Sequence, residues 1–137
     1  MTKKIFFAAV LSLVTCSGVS NAADYGKASK IESARRGNIV VRYVKEYESP
    51  CLVVQILDPS KEWVLISQKD FCSFESKSLL TNVSYAAFEK ISFADDGIHT
   101  DLNITPLELS EDEVHACIVP IKGSVIQELK CEGPLKK

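Results

Sequence analysis

Histidine and glycine are scarce in this chain of 137 residues, and each scarcity closes off a class of chemistry. The two histidines, His99 and His115, sit in strand-like sequence, and no serine lies in a G-x-S-x-G context. A serine or cysteine nucleophile therefore lacks the base it usually needs. The few glycines fall near turns, where turn geometry accounts for them, so no phosphate-cradling loop is present. Cysteine occurs, but never as a close C-x-x-C pair, which argues against zinc. Basic residues do not cluster: Arg35-Arg36 is an isolated pair and the aromatics do not interleave with cations, so the footprint of nucleic-acid binding is missing. Acids are plentiful, yet nothing selects the two facing carboxylates of a glycosidase. No cofactor is implied by any motif.

Long apolar runs are also absent. The longest lies at residues 5–14 (IFFAAVLSLV), short of the roughly 20 apolar residues of a membrane-spanning helix. It follows Lys3-Lys4 and precedes Ser20-Asn21-Ala22, the three-part plan of a secretory signal with cleavage after Ala22. Residues 1–22 are thus expected to be a signal peptide, of bacterial type, leading to the periplasm or the exterior. A rival is lipidation at Cys16, for which Thr15 is a poor preceding residue. Cleavage after Ala22 would leave 115 of the 137 residues and, by removing two lysines and no acid, shift the formal charge from −2 to −4. A mildly acidic domain has no general pull toward nucleic acid or anionic membrane, and a basic protein of the envelope is the easier partner.

Four cysteines would then remain: Cys51, Cys72, Cys117 and Cys131. An even number in an exported chain reads as a disulfide framework. Folding the run after Cys51 back about residues 58–61 carries Cys51 opposite residues 68–69, with Cys72 just beyond. Turning near Gly123-Ser124 brings Cys117 opposite the neighbourhood of residue 130. Of three possible connectivities, Cys51–Cys72 and Cys117–Cys131 are expected.

Residues 23–37 are polar, with Ile31 the single large aliphatic, and are expected to form a leader or a frayed helical turn. From residue 38 the texture becomes β-branched and aromatic, in short runs at 39–44, 51–57 and 63–66 separated by turn residues. The second and third runs are apolar on both alternating faces, which implies cover on both sides and places Trp63 in a core. Residues 73–85 are irregular, with room for one helical turn. Then 88–93 and 98–104 flank Asp95-Asp96-Gly97, a strong hairpin mark. In the returning strand Ile98, Thr100, Leu102 and Ile104 face one way and His99, Asp101 and Asn103 the other. Runs at 114–121 and 125–131 suggest a second hairpin, with Pro120 at an edge or bulge. The expected architecture is mostly β: about seven short strands in hairpins, as a small antiparallel barrel or sandwich over residues 38–132, followed by a loose tail at 133–137.

Two surface features stand out. His99 and Asp101 share a polar face and could touch along the strand, although an exposed polar row explains both. Glu108, Glu111, Asp112 and Glu113 crowd the connection between the two hairpins, and Ser110 with Glu113 has capping-box spacing for a helical turn. The plain reading of this acidic run is a solvated loop; the sharper one is a partner-binding loop on a braced scaffold. The form is similar in kind to periplasmic lysozyme inhibitors, small exported β proteins, but none of their motifs is matched. The expectation is an exported binding protein, an inhibitor or immunity protein against an envelope hydrolase. Alternatives are a structural or accessory envelope component and a small secreted hydrolase.

Overall fold

A computed structural model describes residues 25–108 and 110–135. The expected signal segment, its cut after Ala22, Cys16, and the last two residues of the tail lie outside them; the described part of the tail is not loose, since Gly133 and Pro134 belong to the last strand and Leu135 N donates to the Val114 carbonyl at 2.7 Å. The described residues are mostly strand, in two antiparallel sheets curved as a half-barrel around one core. The first sheet runs in order β1 (Ala28–Arg36), β2 (Ile39–Glu46), β3 (Leu52–Asp58), β4 (Val64–Phe71). A small hairpin of β5 (Ser73–Phe74) and β6 (Lys77–Ser78) follows. The second sheet contains β7 (Val83–Ala94), β8 (Gly97–Pro106), β9 (Glu113–Lys122) and β10 (Val125–Ile126), with β11 (Lys130–Pro134) also on β9.

The core draws on both sheets. Alternate residues of the first, such as Val41, Tyr43, Leu52, Val54 and Ile56, meet Phe88, Ile98, Leu102, Val119 and Ile121 of the second. In β8 the expected alternation holds, with Ile98, Thr100, Leu102 and Ile104 all buried. At the margin between the sheets, side chains do the bridging: Lys45 Nζ donates to the Phe88 carbonyl at 2.8 Å, and Arg36 donates to the Asp95 carbonyl. Lys69 pairs with Glu128 on another side.

Both disulfides join the expected cysteines. Cys117 lies directly opposite Cys131 in the β9–β11 register, with a Cα separation of 4.0 Å. For the other pair, the register sits further along than expected, because Asp58 pairs with Val64 across a longer connection and a bulge intervenes near Ile66. Leu52 is thereby set against Phe71, and Cys51 and Cys72 stand beside that pair with Cα atoms 4.6 Å apart.

Several local expectations are corrected. Over its described residues, 25–37, the polar segment is no leader: it contains a 3-10 turn at Tyr25–Lys27 and the nine-residue strand β1. Its side chains are mostly exposed, so it lacks an apolar face, and pairing with β2 through the backbone gives it structure. The boundary at residue 38 falls inside the β1–β2 turn, where Gly37 supplies a φ of +60°. The third apolar run is an outer strand and not a central one. Trp63 precedes β4 with a left-handed φ of 62° and is 58 % exposed, and Val64, Leu65 and Ile66 are exposed beside it. Pro120 lies within β9, which is flanked on both sides; it falls where the outer partner changes from β10 to β11, and its carbonyl accepts the Gln127 amide at 2.9 Å. The irregular segment keeps one turn, closed by Asn82 N donating to Ser78 O at 2.9 Å, between β6 and β7.

Candidate functional site

The acidic connection between β8 and β9 contains no helical turn among the described residues. Ser110 N donates to Glu108 O at 2.8 Å, and Glu113 already belongs to β9, so the capping-box turn expected at 110–113 does not form. The reason is local: the strand ladder claims Glu113 opposite Ile104, and its carboxylate turns to a histidine. The four acids accordingly divide. Asp112 Oδ1 accepts from Thr105 Oγ1 at 2.9 Å, and Glu113 Oε2 lies 3.1 Å from His115 Nε2. Glu108 and Glu111 are exposed, with no side-chain partner among the described residues.

Beneath this loop opens a cleft of about 300 Å³, at the small end of ligand-binding clefts. Buried Leu79 and Ile104 and the half-buried Phe74 and Val83 give it an apolar floor. Leu107, 63 % exposed, forms a lip, and Glu75, Lys77, Glu108 and Glu113 supply the charges. One wall hangs from a disulfide: β5 begins immediately after Cys72, and Leu79 N donates to the Cys72 carbonyl at 2.9 Å. The β5–β6 turn holds Glu75 and Ser76 at φ values of 47° and 66°, left-handed positions that glycine usually fills. On the other side of Leu79 and Val83 lies a wider depression of about 520 Å³, bordered by the exposed Tyr47, Leu80 and Tyr85. Exposed apolar and acidic side chains therefore meet at one end of the molecule.

His115 fastens the loop from below. It is buried, packed against the Phe74 ring with centroids 4.6 Å apart and planes inclined at 49°, with Nδ1 2.9 Å from the Glu132 carbonyl and Nε2 facing Glu113. A carbonyl only accepts, so Nδ1 carries a hydrogen, and in the imidazolium form Nε2 donates to Glu113 as well. One side chain then holds β11 and the start of β9 together under the acidic loop.

The other sequence candidates are dispersed. His99 Nε2 pairs with Asp96 Oδ1 at 2.7 Å and not with Asp101, which faces Lys90 at 3.8 Å. The His99 hydrogen bond holds the Asp96 carboxyl below the usual carboxylate range. Arg35 and Arg36 are both engaged with nearby backbone carbonyls. What the sequence reading missed is the apolar half of the site. Phe74, Leu79 and Val83 come from the segment that carries neither a helical nor a strand period, and their one advance signal is apolar side chains in an otherwise polar stretch. Among the described residues no helix is long and apolar enough to cross a membrane. Two disulfides suit an oxidising compartment. No family model, curated protein or solved structure matches the chain.

Proposed function

We propose that this chain is an exported binding protein of the bacterial envelope that engages a basic protein, in the manner of an inhibitor or immunity protein against a hydrolase, through the β8–β9 loop. The observation that carries the reading is the division of the acids. Asp112 and Glu113 anchor the loop to Thr105 and His115, while Glu108 and Glu111 are left to solvent beside an apolar cleft. Fixed charge next to apolar surface on a disulfide-braced scaffold is the usual composition of a recognition site. Action by binding and not by chemistry is favoured by the histidines. Each is engaged with a carboxylate, and neither hydrogen-bonds a serine, threonine or cysteine side chain among the described residues.

The test is affinity capture from envelope fractions, run in parallel with the Glu108→Gln/Glu111→Gln variant. Both positions are exposed and untied, so the variant keeps its fold. A basic protein recovered in stoichiometric amount by the parent, released by salt and lost to the variant, is the expected result. Recovery of the same proteins by both forms, independent of salt, overturns the reading; if those proteins are outer-membrane machinery, an accessory role takes its place.

A further inference from the structure

The cleft under the acidic loop is chemically two-sided, and that narrows its occupant. Its floor, Leu79, Ile104, Phe74 and Val83, offers no charge, and a purely polar side chain placed there would leave apolar surface wet. Its rim carries three carboxylates, Glu75, Glu108 and Glu113, against the single ammonium of Lys77. An acidic occupant meets repulsion from most of that rim. Glu113 is held by His115, so Glu108 and Glu75 are the acids turned outward. Glu75 is kept at the rim by a turn whose two left-handed residues are not glycine, a backbone arrangement that persists only where the surroundings enforce it.

We infer that the cleft is the anchor site for an extended peptide segment of the partner in which an apolar side chain stands next to a basic one. The apolar side chain fills the floor and the neighbouring ammonium or guanidinium reaches Glu108 across Leu107. This deepens the reading of a basic partner and rests on it, since it assigns the cleft as well as the loop to the same contact. The opening suits one or two side chains, so the segment enters by its side chains and its backbone passes over the lip.

Amide chemical shifts of the isotopically labelled, disulfide-intact protein provide the test, with three probes: acetyl-Gly-Leu-Lys-Gly-amide, acetyl-Gly-Leu-Glu-Gly-amide and acetyl-Gly-Ser-Lys-Gly-amide. The Leu-Lys peptide is expected to move the Val83, Ile104 and Leu107 resonances. It should bind roughly two- to fivefold more tightly than the Leu-Glu peptide, the margin of an exposed ion pair. Leu107→Ser and Glu108→Gln should each weaken it, and neither position is buried, so both variants fold. If the Ser-Lys and Leu-Lys peptides bind alike and shift only residues 108–112, the cleft inference falls while the acidic-loop reading stands. If the Leu-Glu peptide binds as well as the Leu-Lys peptide, the charge preference falls, and the basic-partner reading loses its support from the cleft. If no probe moves the cleft resonances at millimolar concentration, the anchor site is refuted, and the loop reading is judged by the capture experiment alone.

Discussion

Gly97 brings two strands closer together than a residue with a side chain allows. A Cβ built there would lie 2.1 Å from the Val119 carbonyl oxygen, and the backbone sits at a φ of +146°. The Asp95-Asp96-Gly97 sequence was expected to mark a turn that needs glycine's positive φ. The turn itself is made by Asp95 and Asp96, neither of which has a positive φ, and Gly97 is instead the first residue of β8, set against Pro120 of β9. Its requirement is therefore twofold, a positive φ and close packing against β9. Gly97→Ala is expected to destabilise the fold by about 2–4 kcal/mol, combining backbone strain and overpacking, as measured by chemical denaturation. A loss below about 0.5 kcal/mol, the range of ordinary surface changes, would show that β8 and β9 can move apart at little cost.

At the scale of the element, β1 shows how a strand can form with no apolar pattern. Its ladder to β2 runs the length of the strand, and side-chain contacts add to it: the buried Tyr43 hydroxyl donates to Glu32 Oε2 at 2.6 Å, and Arg36 donates to the Asp95 carbonyl. The Tyr43 hydrogen bond holds the Glu32 carboxyl below its usual range, while burial and then the same bond push the Tyr43 phenol up. Because Glu32 titrates lower in the folded than in the unfolded chain, its contribution is present above the unfolded value and is lost as pH falls through the folded value. Tyr43→Phe should return Glu32 to the ordinary carboxylate range in an NMR titration, and its stability deficit relative to the parent should shrink as the solution is acidified. An unchanged Glu32 titration in the variant would mean that the bond does not form. The same strand explains what the sequence could reveal. The runs at 39–44, 51–57, 98–104 and 114–121 announce themselves because they are half or wholly buried and their alternation follows burial. β1 and the Trp63–Ile66 run mislead for opposite reasons: one is exposed yet paired, the other apolar yet at the sheet's outer strand. At the site, the acidic loop is legible as a run of charge. The cleft beside it is not, since Phe74 and Ile104 become neighbours only after β5 and β8 are placed.

For the whole molecule, stability and recognition converge on the same braces. The Cys51–Cys72 link closes a 21-residue separation and Cys117–Cys131 one of 14, each contributing about 3 kcal/mol in the loop-entropy model. The first ends where the cleft wall begins, and the second ties β9 to β11 just beyond His115. An acidic edge of this kind focuses a local field, which speeds encounter with a positive surface more than it slows release. The screening length is roughly 8 Å at 0.15 M salt, so the effect is read in the salt dependence of association. The decisive measurement is the association rate with the captured basic partner across a salt series, for the parent and for Glu108→Gln/Glu111→Gln. The account predicts that the variant associates roughly two- to tenfold more slowly at low salt, with a flatter salt dependence and a less altered dissociation rate. Identical rates and identical salt dependence for the two proteins would contradict it and leave the β8–β9 connection a solvated loop.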